Sequence, residues 1–452
     1  MTRRQPAKKR PVRKVAATTR TAEKAVKKSV QKSVQKPARK SSRKSAKHRP
    51  PSPKGTASGG PQRPPNRDYR YIVLGLGGLG SGAAYWLSCR AGREVLGIEQ
   101  FELGHVRGES QDHSRIIRLS YHTPSYVQLA KRAYDAWARL GADAGEQVVL
   151  KTGGLDVAPR NAAIDLSTYT ESLTACGVPY EALDADEIMR RWPQWHLKDQ
   201  HHGIYQPESG IAMAARANAA HQRMALAHGA TLIERTPVRS VRSVGGEVEV
   251  LAGGKRYRCE SLVVAAGPWS PIVLKRLGMR IPLEVTREQV TYFRTPHPAS
   301  FAPEHFPIWI WMDDPSFYGF PIFGEAAVKA ARDAGGPAVT ADTRSFAPDP
   351  AQERAVKRFL SRYLPDAVGP VLYTKTCLYT LTPDRDFVID RVPGQPNILV
   401  AIGAGHAFKF ASVIGRILSE LAIDGSTPSD ISPFTINRPI LRMKNPPKNY
   451  MQ

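Results

Sequence analysis

From Tyr71 onward, short apolar runs alternate with polar, glycine-marked breaks. Tyr71 to Leu74, YIVL, is an apolar and partly β-branched run of the length of a buried strand. It leads into GLGGLGSGAAYWLSCRAG, whose Ala-rich part suits a helix, and EVLGIE follows as a second strand. Farther along, PVRSVRSVGGEVEVLAGGKRYRCES has the pattern of a hairpin, and Leu262 to Trp269, LVVAAGPW, reads as another buried strand ending in small residues. FPIWIWMDDPSFYGFPIF predicts two aromatic strands joined by the turn DDPS. Near the end, DFVIDRVPGQPNILVAIGAGHAFKFASVIGRILSELA predicts strand, turn, strand, a glycine-containing loop and an amphipathic helix. Strands and helices in this alternation indicate an α/β fold in which three separated segments build one Rossmann-like nucleotide-binding domain.

Residues 1–66 break the pattern. They hold 21 of the 65 Lys and Arg and one of the 40 acids, Glu23, for a net +20. The rest of the chain carries only +5 of the total +25, so the folded part is close to charge balance. With no large aromatics and little to bury, the segment is predicted to be a disordered basic tail. Its polycationic character suits sequence-independent, salt-sensitive contact with DNA, RNA or another polyanion, or a solvated arm. It lacks the apolar run of a secretory signal, and no uncharged apolar stretch reaches the roughly eighteen residues of a spanning helix. Cys89, Cys176, Cys259 and Cys377 show no CxxC or CxxxC spacing, which argues against a zinc site or a disulfide framework and suits a reducing, cytoplasmic setting. No metal is expected.

Gly75, Gly77 and Gly80 form GxGxxG between the first strand and the first helix, and the second strand ends in Glu99, nineteen residues after Gly80. Gly75 permits the tight turn, Gly77 the approach of a pyrophosphate, and Gly80 close packing of helix on strand. The helix N-terminus favours the negative charge. Glu99 would accept from the adenosine ribose hydroxyls, which fits FAD or NAD; the fingerprint alone does not choose between them.

Over roughly Arg70 to Pro439 the chain resembles the monomeric sarcosine oxidase and N-methyltryptophan oxidase family of flavoenzymes, in the D-amino-acid oxidase superfamily. The motifs that carry the resemblance are VLGLGGLGSGAA, DHSRIIRLSY (Asp112 to Tyr121), KTGGLDV (Lys151 to Val157), YQPESGIA (Tyr205 to Ala212), VVAAGPWS, FYGFPIFG (Phe317 to Gly324), KTCLYTLTPDRDFVID (Lys375 to Asp390) and GHAFKF (Gly405 to Phe410). The resemblance implies FAD-dependent oxidation of a secondary α-amino acid, N-methyl or cyclic, with O2 reduced to hydrogen peroxide. Pipecolate, N-methyltryptophan or a glycated amino acid, or an acceptor other than oxygen, are alternatives within the same chemistry. A polyanion-associated protein working through its tail is the alternative of another class.

By the same resemblance Cys377 joins the 8α-methyl carbon of FAD through its sulfur, and Ser114 and Gly267 contact the cofactor. Arg115 and His406 lie by the flavin ring, and Lys329 promotes its reaction with oxygen; these three take the catalytic roles. Arg118 and Lys409 pair with the substrate carboxylate, a task suited to the planar fork of arginine. Tyr318 and Tyr379 line the pocket. On residues alone, Arg115 and Arg118 would share a face on a helix and point oppositely on a strand.

Three departures bear on substrate. Ser110 and Gln111 stand where some relatives carry paired histidines, Asp333 where close relatives have a histidine, and Ala407 replaces a glycine. The expected organisation is the tail 1–66, FAD-binding segments 67–150, 205–280 and 373–440, interleaved α+β substrate-domain segments 151–204 and 281–372, and a C-terminal tail 441–452, acting as a monomer.

Overall fold

Tyr71–Leu74 is buried on both faces because it has a strand on each side and helices above. In the computed structural model, which describes residues 68–449, Ile72 pairs in parallel with Leu96 on one side and Leu262 on the other. The assigned tail, 1–66, lies outside the described residues. Five strands run parallel in the order Thr231–Ile233, Val95–Ile98, Asp68–Leu74, Lys255–Val264, Gln395–Ile402. A sheet covered on both faces reads as continuous apolar runs, as these do. Helices Gly78–Ala91, Pro124–Ala144, Ala214–Ala227 and Ala411–Asp424 supply apolar side chains such as Leu87, Trp137, Ala217 and Ile414 to a core on one face. The other face packs Ile72, Leu96, Leu262 and Val400 against Val248, Val250 and Leu274.

The predicted hairpin is a three-stranded antiparallel meander: Val238–Val244, Glu247–Ala252 and the first half of Lys255–Val264. The second half of that long strand enters the parallel sheet beside Asp68–Leu74. Val388–Val392 adds an antiparallel edge to Gln395–Ile402, as its turn predicted. The first turn is as tight as the fingerprint requires. Gly75 has φ +87°, and a Cβ there would sit 2.4 Å from the Ala265 carbonyl oxygen; a Cβ on Gly80 would lie 1.8 Å from the Gly75 oxygen. No side chain larger than hydrogen fits between that strand end and the helix.

A second sheet of eight strands runs Val371–Leu381, Glu284–Phe293, Val328–Arg332, Phe317–Phe320, Ile308–Trp311, Gly154–Pro159, His201–Gln206, Glu181–Asp184. The two aromatic strands pair antiparallel, Ile310 opposite Tyr318, across the expected turn. Divisions at residues 204/205 and 372/373 fall within strands of this sheet, since His201–Gln206 and Val371–Leu381 both belong to it. A small sheet of Arg115–Ile117, Gly210–Ala212 and Val149–Lys151 completes the strands. No helix among the described residues is long and apolar enough to cross a membrane.

Ile72 is fully buried at the centre of the parallel sheet. Ile72→Ala is expected to lower unfolding free energy by about 2–5 kcal/mol, read by denaturant titration.

Candidate active site

The carboxyl ends of the parallel strands point the same way, and the residues that follow them meet: Gly75, Glu99, Ala265 to Gly267, and Gly403 line one cavity of about 1430 Å³ including its mouth. This is where an open α/β sheet receives a ligand. Helix Gly78–Ala91 begins there with a glycine, Gly77, at its N-cap and no acid in its first turn, so its positive end faces the cavity. Glu99 is buried and accepts from the amides of Leu76 at 2.8 Å and Phe101 at 3.1 Å, with His105 Nε2 3.4 Å away. Burial works to raise its pKa, but the hydrogen bonds from His105 and the Leu76 amide more than offset this, so it stays ionised. The Ser110 hydroxyl accepts from the Gly78 amide at 2.7 Å. Gly267, which also lines this cavity, begins a short 3₁₀ turn with φ +49°. These residues fit the dinucleotide part of FAD: a glycine cradle, an open helix end and a buried acid.

A second cavity, about 1000 Å³ including its mouth, shares Gly78, Leu79, Glu109, Ser110 and Gly403 with the first. One elongated ligand can therefore occupy both. Arg115, Arg118, Tyr318, Tyr379, His406 and Lys409 all line this second space, so the structure gathers six predicted residues from four distant parts of the chain. Gly405 brings the loop close, since a Cβ there would meet the Tyr379 ring at 2.7 Å.

Arg115 starts the strand Arg115–Ile117 and Arg118 follows it. Arg115 spends its guanidinium on the carbonyls of Ser114, Glu109 and Gln111 at 2.9, 2.8 and 3.1 Å. Arg118 is buried and donates from Nη1 to Asp156 at 2.9 Å, while its Nε has no hydrogen-bond partner. Its guanidinium and the Lys409 ammonium flank the same Tyr121 ring, at 5.0 and 5.7 Å from the centroid. Lys409 makes no ion pair among the described residues. Burial, and next the Arg118 charge, press its pKa down to about 7. The Lys409 segment is fixed from behind by Trp137, whose indole donates to the Lys409 carbonyl at 2.7 Å.

His406 Nε2 lies 2.9 Å from the Arg385 carbonyl oxygen, which can only accept. The donor nitrogen is thus committed to the backbone, and burial holds the ring neutral by lowering its pKa well below the usual value. Toward a ligand, the neutral ring has Nδ1 left as an acceptor.

Lys329, Ser114 and Cys377 are not among the lining residues. Lys329 is a buried member of strand Val328–Arg332, 2.6 Å from Asp112, and donates to the Ser114 carbonyl at 2.9 Å. Burial lowers its pKa to about 8, against the pull of Asp112. Cys377 lies half-buried opposite Glu288 in the second sheet. Burial pushes its thiol up to about 11, although Arg115 favours the thiolate.

Sequence reasoning missed four residues: Asp112, Asp156, Glu109 and Arg385. Asp156 sits in the apolar run GLDVA, and an acid inside a buried strand signals a buried cation nearby. Arg385 adopts φ +59° and grips Asp333 through two hydrogen bonds of 2.7 and 2.9 Å. The departure noted at Asp333 is therefore half of an ion pair, and burial of that carboxyl is outweighed by Arg385, which keeps it ionised. Nothing local in TPDRDF marks Arg385 as its partner.

The fold and site define a dinucleotide-binding α/β protein with a cationic, aromatic pocket beside the cofactor cleft. The pattern of the FAD dependent oxidoreductase (DAO) family matches residues 70–421, and the chain belongs to that family. It is 33% identical to a monomeric sarcosine oxidase of Arthrobacter sp. (strain TE1826) over 84% of this chain and 98% of that one. It is 30% identical to an N-methyl-L-tryptophan oxidase of Yersinia pestis (strain Pestoides F), over 82% and 99%. Among solved structures it is similar to NikD, an amino acid oxidase of nikkomycin biosynthesis, with a TM-score of 0.73, 25% identity and coverage of 82% and 98%. The protein is an FAD-dependent oxidoreductase whose relatives support amine oxidation as its class of chemistry.

In flavin-free protein, alkylation of Cys377 at pH 8 should run roughly a hundredfold slower than that of a free cysteine, because so little thiolate is present. Peptide mass spectrometry over a pH series checks this; equal rates would contradict a half-buried thiol held in its protonated form.

Proposed function

We propose that the protein oxidises a secondary α-amino acid, N-methyl or cyclic, of which sarcosine is the simplest. The reading rests on one observation: an arginine with a buried, unpartnered Nε and a lysine with no ion partner among the described residues flank one tyrosine ring in the cavity beside the cofactor cleft. A carboxylate accepting from both is the anion such a pair suits.

When bound, FAD supplies the two-electron acceptor for the C–H bond next to nitrogen and passes the electrons to O2, for net formation of an imine, hydrolysed by water, and hydrogen peroxide. The protein's part is orientation and charge. Arg118 and Lys409 hold the carboxylate, and Tyr318 and Tyr379 wall the amine end, restricting the substrate to poses with its α-carbon toward the cleft. Arg115, locked onto three carbonyls, keeps a fixed positive charge on the cavity wall. Lys329 serves the oxygen reaction by placing an ammonium near the site of reduction, with Asp112 holding it in position. His406 positions its loop and offers an acceptor.

Cys377 is proposed as the covalent anchor of the flavin. Its thiol must lose a proton to react, and the neighbouring Arg115 and Lys329 charges oppose the effect of burial on that step. The nucleotide-binding and substrate-binding parts are proposed to follow the two large sheets.

Anaerobic mixing with N-methyl and cyclic amino acids should bleach the flavin absorbance, and air should restore it with peroxide released. Failure of every such substrate would remove the reading. Lys409→Met should weaken carboxylate binding by about 2 kcal/mol, roughly thirtyfold. Lysine is charged below its pKa, so affinity of the native protein for an unreactive carboxylate should be full below pH 7. It should fall up to tenfold per unit above, a slope reduced in Lys409→Met to the part owed to Glu109, whose carboxyl in the same cavity burial also raises to about 7. Acid-unfolded protein should keep its yellow colour, and Cys377→Ser should lose it.

A further inference from the structure

We infer that the pocket is charge-matched to a substrate bearing one carboxylate, and that Asp333, supported by Asp156, excludes a second. The inference rests on the function proposed above and specifies its substrate class.

Three cations, Arg118, Arg385 and Lys409, and one carboxylate, Asp333, line the substrate end of the cavity, and a second carboxylate, Asp156, is buried against Arg118. Arg118 is held by Asp156 at 2.9 Å, and the other oxygen of Asp156 accepts from the Ser120 hydroxyl at 2.6 Å. Arg385, 1% exposed, is held by both oxygens of Asp333. Lys409 makes no ion pair among the described residues. Two pairs cancel, and one positive charge remains.

None of the cavity's other charged groups, among the described residues, presents a free fork to a carboxylate, although Arg115 keeps its positive charge on the wall. Arg115 has both Nη atoms turned onto backbone carbonyls and lies 3.9 Å from Asp112, which also faces Lys329 at 2.6 Å and Lys375 at 3.6 Å. Glu109, on the cleft side, is bonded to the Thr380 hydroxyl and not to the substrate-end cations.

One carboxylate meets Arg118, whose buried Nε has no hydrogen-bond partner, and the Lys409 ammonium, which has no ion pair among the described residues. A second finds Arg385 already gripped in the fork geometry that it would itself need, with the Asp333 charge in front of it. In a site with little water, an unmatched anion is rejected by both lost hydration and repulsion. Asp333 is thus a specificity residue, and its bidentate bond to Arg385 is what removes that arginine from substrate recognition.

The test uses the flavin-loaded protein and two unreactive acids of similar shape, butyrate and succinate, titrated by the change in flavin absorbance at pH 6.5. The native protein should bind butyrate at least tenfold more tightly than succinate. Asp333→Asn, which leaves Arg385 without that carboxylate, should improve succinate binding at least tenfold while changing butyrate less than threefold. The double variant Asp333→Asn/Arg385→Gln restores the net charge and should reject succinate again, a recovery that a purely structural role for Asp333 would not produce. Asp156→Asn should also improve succinate relative to butyrate.

Equal binding of the two acids by native protein, no binding of butyrate, or an unchanged ratio in Asp333→Asn would each overturn the inference. If a variant does not fold, the native ratio still decides. Failure of N-alkyl amino acids to reduce the flavin, with the butyrate and succinate results as expected, would defeat the proposed reaction and leave the charge match standing.

Discussion

Three basic side chains are buried beside one cavity, and each is kept there by an aspartate: Arg118 by Asp156, Arg385 by Asp333, Lys329 by Asp112. A lone charge could not remain in such surroundings, and the rest of the site is arranged around that constraint. Taking both members of a pair out of water roughly cancels their attraction, so these bridges contribute little net stability, whereas removing one partner costs about 3–5 kcal/mol. Their role is to hold charges at fixed points. Lys409, with no carboxylate to hold it, bears the consequence as a proton that leaves near neutrality.

Each pair joins segments far apart in the chain. Asp156 comes from the strand Gly154–Pro159 and Arg118 from just beyond Arg115–Ile117; Asp333 follows Val328–Arg332, and Arg385 lies between Val371–Leu381 and Val388–Val392. The second sheet carries or borders the acids and the aromatics, while the parallel sheet carries the glycine turn and Glu99. The two cavities share Gly78, Leu79, Glu109, Ser110 and Gly403. Cofactor cleft and substrate pocket are thus adjoining spaces with a common wall.

The elements with strong local signals were legible in advance. YIVL, the GxGxxG turn, LVVAAGPW, the two aromatic strands and the closing strand-turn-strand-helix all rest on periodicity and glycine placement, which act within a dozen residues. Arg115, Arg118, Lys409, Tyr318, Tyr379 and His406 were identified through motif resemblance, and the fold brings them to one cavity. The orientation of the two arginines was not readable. Spacing alone left helix and strand open, and both reach the same space because Arg118 lies past the end of a strand of only three residues. The donor nitrogen of His406 was likewise out of reach, since its acceptor is a carbonyl twenty-one residues earlier.

The sequence by itself determined the sheet that binds a dinucleotide, because an apolar run, a glycine turn and an acid at a fixed distance constrain the backbone locally. It also determined the stock of cations and aromatics available to a pocket. Only the tertiary structure decided which acid neutralises which base. Coulomb interactions depend on distance in space and on the exclusion of water, and neither quantity exists until the sheets have packed.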